Sequence, residues 1–284
     1  SIDMDGKCIW ESQIISRDVK ILDDSNWVEG HFEQLVKLSM SQLKDDGDPY
    51  NDKDWELDKA ELKSLMTAYG SLISNYKSPD CNKVFLFIDR EGGDKNQGRT
   101  GKSIVMNSIG EYKKHAQLAG KDFSNLDSFN WDQVDTDTKF VSLDDVKSSS
   151  GKMKPDDFCF VYLYSRVTGT FTVNKKYGSR FTFPPDTSPK LGITSNKALT
   201  MSGESSSDAR MNVVEFHPYW NRQDRKFGSG CVKRRFGQSL LSSEVATGEW
   251  KDDDPQWNYF YNFGFRCVQE FLKHGLFQPA RTDY

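Results

Sequence analysis

The chain has little with which to build a metal centre or a covalent staple. Its five cysteines (Cys8, Cys81, Cys159, Cys231, Cys267) are scattered and form no Cys-x-x-Cys pair. That excludes a zinc ribbon and a disulfide framework, and reduced thiols in a cytosolic compartment are expected. The four histidines are isolated, without metal-ligand spacing. No apolar run approaches the ~18 residues of a membrane span, and the N-terminal stretch has no signal-peptide core. Internal repeats and long low-complexity tracts are also missing. Charged side chains make up 28% of the chain and apolar ones 36%, which rules out wholesale disorder and allows one large domain or two modest ones. The first residue is Ser1 rather than methionine, as expected of a piece cut from a longer protein.

What the chain does have is an internal charge asymmetry behind a net charge of −4. Residues 1–80 sum to −8, whereas residues 166–235 sum to +8, with thirteen Lys or Arg against five acids. Such polarity fits a solvated face that balances the acidic first third, or a local site for a polyanion. Charge alone does not choose.

Periodicity divides the chain further. Val28, Phe32, Leu35, Val36 and Leu43 fall at helical spacing over 27–43, and an acidic, turn-rich stretch follows at 44–54. Leu62, Leu65, Met66, Tyr69, Leu72, Ile73 and Tyr76 then keep the i, i+3, i+4, i+7 pattern behind a capping box of Asp58 and Glu61. Residues 1–80 thus read as a helical module ending near Pro79. Beyond it, short continuous apolar runs at 83–89 (KVFLFID), 139–143, 158–164 and 191–194 each predict a buried strand. A helix pattern starts at Lys102, and Trp257, Tyr261, Phe265, Val268 and Leu272 mark a closing amphipathic helix. The expected fold is α/β: a mainly parallel sheet flanked by helices over 81–220, with a C-terminal helical subdomain at 221–284.

The loop after the first buried run reads G-G-D-K-N-Q-G-R-T-G-K-S over 92–103. Gly98, Arg99, Thr100, Gly101, Lys102 and Ser103 supply what a phosphate-binding loop needs between a strand and a helix. Backbone N–H groups face the phosphates, an ammonium reaches the β and γ oxygens, and a hydroxyl holds Mg²⁺. Asn96 stands where the motif has its first glycine; Asn tolerates positive φ, and Gly98 is near. The run FVSLDD at 140–145 ends a buried strand in two carboxylates. Asp144 and Asp145 suit a metal and its attacking water, or simply cap the next element. K-L-G-I-T-S-N at 190–196 ends another strand on an amide. Asn196 fits a turn, or a place beside the γ-phosphate where it holds the hydrolytic water. Between these, VTGTFTVNKKYGSRFTF at 167–183 predicts a β-hairpin with Lys175 and Lys176 at its tip and Arg180 on the return arm. Cations there either solubilise a loop or reach phosphates without reading bases.

In this order, the parts resemble the superfamily 3 helicases, an AAA+-like family of P-loop NTPases. The likeness is greatest to the helicase half of phage and poxvirus-type primase–helicases, over roughly residues 80–275. The stretch G-E-S-S-S-D-A-R-M-N-V-V-E-F at 203–216 is similar to the family's arginine-finger segment, and 257–276 to its helical tail. The resemblance implies ATP and Mg²⁺, with Lys102 on the β/γ-phosphates and Ser103 on the metal. Asp144 and Asp145 would be the Walker B acids, Asn196 the sensor, and Arg210 a finger into a neighbouring subunit's ATP. It places Lys175 and Lys176 on a strand threaded through a central pore. It further implies a homo-oligomeric ring, usually a hexamer, that moves 3′-to-5′ on single-stranded DNA. Such a ring would open forked duplex DNA for a phage or mobile element in a bacterial cytoplasm, behind an upstream primase. The module at 1–80 would then be a collar or pack on the motor. Asp145 departs from the Glu often found at its position. Asn96 keeps open a DNA-binding initiator or scaffold with a degenerate ATPase, and a P-loop kinase would leave the hairpin and the T-S-N strand unexplained.

Overall fold

The computed structural model describes residues 14–77, 82–90, 98–121, 123, 129–146, 160–196, 210–241 and 250–280. In chain order the first elements are α1 (His31–Ser39), β1 (Ser41–Leu43), β2 (Trp55–Leu57), α2 (Lys59–Ile73) and β3 (Val84–Asp89). Next come α3 (Lys102–Asn107), β4 (His115–Ala119), β5 (Phe140–Asp144), α4 (Val161–Thr168), β6 (Phe171–Val173) and β7 (Phe181–Phe183). The last are β8 (Lys190–Ser195), β9 (Met211–Phe216), α5 (Tyr219–Phe227), α6 (Cys231–Phe236) and α7 (Pro255–His274).

Every residue of β3 is buried, so the strand must lie inside the sheet with both faces covered. It does: the five-stranded order is β4-β5-β8-β3-β9, with all neighbours parallel. Alternation then sends side chains to two separate cores. Phe85, Phe87, Phe140, Val214 and Phe216 join α1, α2, α5 and α7 on one face. Val84, Leu86, Ile88, Val141, Leu143, Leu191 and Ile193 meet Trp131, Leu163, Phe171 and Val173 on the other. Because all five strands run the same way, their C-terminal ends share one edge, the place where such sheets bind ligands.

The first third is built into this frame. Asp58 caps α2 by accepting from the N–H groups of Ala60 and Glu61 at 3.0 and 3.1 Å. The Glu61 carboxylate accepts from the N–H of Glu215 on β9 at 3.5 Å. α2 crosses α7 at Gly70, where an added Cβ would lie 2.0 Å from the Cys267 carbonyl oxygen. Phe32, Tyr69, Tyr112, Phe260 and Phe263 interlock edge-on or tilted around that crossing.

Three local expectations change, and one strand is added. The run at 158–164 is no strand: α4 covers Val161–Thr168, and the buried Phe160, Leu163 and Val167 follow helical spacing that a continuous apolar run conceals. Residues 158 and 159 lie outside the described residues. The helix expected over 27–43 spans only His31–Ser39; Leu43 belongs to β1, which pairs antiparallel with β2. α2 stops at Ile73, leaving Tyr76 57% exposed. β4, whose burial alternates, has too short and mixed a pattern to have been predicted.

Two histidines are folded into this scaffold in neutral form. Burial pushes His115, whose Nε2 is 2.7 Å from Ser142 Oγ, down to about 4. Burial, with the neighbouring Arg90 cation, does the same to His217, against the opposing pull of Asp58. Their folded values lie below the ordinary 6.5. The stability they contribute is therefore complete above about pH 6.5 and lost as pH falls toward 4. Each should forfeit roughly 2–3 kcal/mol by about pH 4.5. Urea melts at pH 7 and pH 4.5 should show the drop, and His115→Gln should remove about half of it.

Candidate active site

β3 carries Asp89 to the C-terminal edge, where its carboxylate is almost wholly buried at 3% exposure. It accepts from the Gly98 N–H at 2.7 Å and from Thr100 Oγ1 at 2.6 Å, and it pairs with the Lys102 ammonium. A buried carboxylate thus organises the loop from within. Gly98, Arg99 and Gly101 take φ of 106°, 57° and 97°, the left-handed turns that wrap the backbone around that anion. Two other elements clamp the loop from outside. Ser39 Oγ at the end of α1 donates to the Thr100 carbonyl at 3.2 Å and receives the indole N–H of Trp220 at 3.0 Å. Asn221 Nδ2 on α5 donates to the Gly98 carbonyl at 2.7 Å.

The adjacent strand ends complete the group. Register pairs Leu143 with Ile193, which sets Asp144 level with Thr194, and Thr194 Oγ1 donates to Asp144 Oδ1 at 2.6 Å. Ser103 Oγ donates to the same oxygen at 2.9 Å, and Gln117 Nε2 approaches Oδ2 at 3.3 Å. Asp145 sits at φ 55°, its N–H donating to Thr194 Oγ1 at 2.9 Å. Its carboxylate pairs with Lys121 and accepts from Asn196 Nδ2 at 3.4 Å. Lys102 Nζ is 3.4 Å from Asn196 Oδ1. Burial pulls the Lys102 ammonium below its ordinary pKa, with Asp89 opposing. Lys102, Ser103, Asp144, Asp145, Thr194 and Asn196 line an open cleft of about 430 Å³, within the usual range for a small-molecule site.

Lys102, Ser103, Asp144, Asp145, Asn196, Gly98, Arg99, Thr100 and Gly101 therefore converge on one cleft. Ser103 and Asp144 together offer a hydroxyl and a carboxylate, the hard oxygen pair that Mg²⁺ takes alongside substrate phosphate. Among the described residues no group of three or more His, Cys, Asp or Glu could hold a metal ion alone. Asn96 lies outside the described residues. Asp89 and Thr194 were absent from the sequence-derived site. Their signal was positional: Asp89 is the only acid in the run KVFLFID, and Thr194 neighbours the strand-ending Ser195–Asn196 pair.

Two other groups stand apart. Arg210 precedes β9, and its carbonyl accepts from the Val84 N–H at 2.9 Å. That is the N-terminal edge of the sheet, a strand length or roughly 20 Å from the cleft. The predicted hairpin forms as the antiparallel pair β6–β7, anchored by Phe171 and Phe183 in the second core. Lys175 is turned inward, bonded to the Asp132 carbonyl and to Asp135 Oδ1 at 2.9 Å. Lys176 and Arg180 are exposed, and Tyr177 between them is 96% exposed.

No family model matches the chain, and no curated protein does. Solved structures do. The C-terminal region of NrS-1, in an apo structure, matches with a TM-score of 0.50 and 14% identity over 89% of this chain and 49% of that one. A JCV helicase structure with a bound thiazolopyridine compound matches with a TM-score of 0.43 and 11% identity over 75% of this chain and 50% of that one. The chain spans about half the length of these structures. The parallel sheet with its phosphate-type loop is a P-loop NTPase-like fold, and the likeness to NrS-1 is one of fold. Among the described residues no helix is long and apolar enough to cross a membrane.

Proposed function

We propose that the chain is an ATP-hydrolysing DNA helicase motor of the superfamily 3 type. The observation that carries this is the meeting of Lys102, Ser103, Asp144, Asp145 and Asn196 at one sheet edge, although they lie on three different strand–loop units. In this reading the Lys102 ammonium turns from Asp89 toward the β/γ-phosphates, which the Thr100–Ser103 backbone also faces. Ser103 and Asp144 would hold Mg²⁺, which when bound neutralises charge building on the phosphate oxygens. Asn196 and Asp145, 3.4 Å apart, are placed to orient a water for in-line attack, with the Asp145 carboxylate accepting its proton.

Arg210 cannot serve the cleft of its own chain from the opposite sheet edge. A neighbouring copy's cleft is the remaining place for an arginine finger, and this favours a ring, usually a hexamer in such proteins. Single-stranded DNA, reached from a fork and gripped by the hairpin, is the proposed track. Replication of a phage or mobile element, with a primase upstream in a longer chain, is the proposed setting.

The exposed Lys176 and Arg180 supply the proposed grip on DNA phosphates. Replacing both with alanine should weaken binding of fluorescent single-stranded oligonucleotides equally across sequences and lower the log–log salt slope by about 1.4, at about 0.7 for each lost phosphate contact. An unchanged slope would remove the hairpin from the DNA interface. Lys175→Ala, which releases an inward ion pair, should change the slope by less than either exposed cation does.

A further inference from the structure

A lysine ammonium carries three N–H donors, and for Lys102 the protein itself supplies three acceptors. They are Asp89 Oδ1, Thr100 Oγ1 at 3.2 Å and Asn196 Oδ1 at 3.4 Å. Asp89 is as fully committed. Its Oδ2 accepts from the Gly98 N–H at 2.7 Å, and its Oδ1 takes the Thr100 hydroxyl at 2.6 Å together with the ammonium. A carboxylate thus collects the backbone N–H and the lysine that a loop of this kind turns on a phosphate. Nor can it back away. β3 lies between β8 and β9, Asp89 is in register with Phe216, and the N–H of Arg90 donates to the Phe216 carbonyl at 3.0 Å. Both members of the pair are buried, so salt screens them little.

Resting on the nucleotide reading of this cleft, we infer that Asp89 is a built-in stand-in for phosphate, which competes with an incoming polyphosphate for Lys102, holds nucleotide affinity down and speeds release. A phosphate that takes the ammonium leaves a fixed, buried carboxylate without its cation. One that shares the ammonium sits beside that carboxylate. A buried charge left unpaired and two like charges set together are both costly. Either route lowers ligand affinity, by about tenfold or more. A purely scaffolding role has the opposite sign. If Asp89 did no more than shape the turns at Gly98, Arg99 and Gly101, neutralising it would loosen the cradle and weaken binding. Asparagine separates the two roles. It keeps the size of the side chain and an oxygen for the Gly98 N–H and the Thr100 hydroxyl, and it removes the charge that competes for Lys102.

Calorimetric titration of the full chain with inorganic tripolyphosphate and Mg²⁺ reads this exchange with no nucleobase involved. Asp89→Asn should bind tripolyphosphate about tenfold or more tighter than the wild type, and stopped-flow release of mant-ADP should slow by a similar factor. Lys102→Met should weaken tripolyphosphate by a larger factor in the Asp89→Asn background than in the wild type, because there the ammonium is no longer shared with a carboxylate. Urea melts beside each titration establish that the variants are folded. Asp89→Ser, which keeps a hydroxyl acceptor without the charge, replaces an asparagine variant that does not fold. Equal or weaker binding by the uncharged variant, or a Lys102→Met loss that is the same in both backgrounds, overturns the phosphate stand-in and leaves the nucleotide reading in place. No binding of tripolyphosphate or mant-ADP, by the wild type or by the uncharged variant, overturns the nucleotide reading and the stand-in with it.

Discussion

Lys102→Ala is expected to lower ATP hydrolysis by about a hundred- to a thousandfold, the usual loss for one group aimed at developing phosphate charge. It should also weaken the fold, which a lysine dedicated to substrate alone would not do. The ammonium is 6% exposed and pairs with the almost fully buried Asp89. Deleting it leaves the carboxylate, among the described residues, with the Gly98 and Thr100 donors alone. Breaking such a buried pair from one side costs about 3–5 kcal/mol. Asp89→Asn removes the charge, so the double variant should recover most of the lost stability and none of the hydrolysis. Urea melts of the wild type, both single variants and the double variant measure the coupling. If Lys102→Ala melts like the wild type, Asp89 does not organise the loop in the way described.

Asp145→Asn should separate binding from chemistry. Asp145 sits at φ 55°, a left-handed conformation that Asn also accepts, and its ion pair with Lys121 is solvent-exposed and worth little. The fold and mant-ADP affinity should therefore stay near wild type. Hydrolysis should fall by about a hundred- to ten-thousandfold, the contribution of a positioned general base. Asp144→Asn should behave differently, because Asp144 accepts from both Ser103 and Thr194. Its loss should raise the Mg²⁺ concentration needed for binding. A variant of Asp145 that hydrolyses normally would move the base elsewhere.

The chain order of chemical groups was legible because each group ends an element whose apolar pattern is unambiguous. KVFLFID, FVSLD and KLGITS are continuous runs of strand length, so their last residues fall at one edge of any parallel sheet. Lys102, Asp144 and Asn196 could thus be predicted as neighbours without a structure. The run at 158–164 failed the same test. Seven apolar or aromatic residues in a row carry no period, and only burial of Phe160, Leu163 and Val167 reveals a helix. Asp89 was missed for a related reason. As the last residue of a buried strand it looked like a boundary, whereas three-dimensional contact with Gly98, Thr100 and Lys102 makes it the centre of the loop. Lys175 and Lys176 were indistinguishable in sequence. Asp135, forty residues earlier, draws one of them inward. The end of the cleft that joins α3 to α5 and α6 has no local signature at all.

Everything proposed depends on triphosphate cleavage in this cleft. Steady-state release of inorganic phosphate from Mg²⁺–ATP, measured with and without single-stranded DNA, tests it most directly. The account predicts turnover that rises when DNA is added and disappears in Lys102→Ala. No phosphate release under either condition, from a protein that binds DNA normally, would contradict it and leave a DNA-binding initiator or scaffold as the better description.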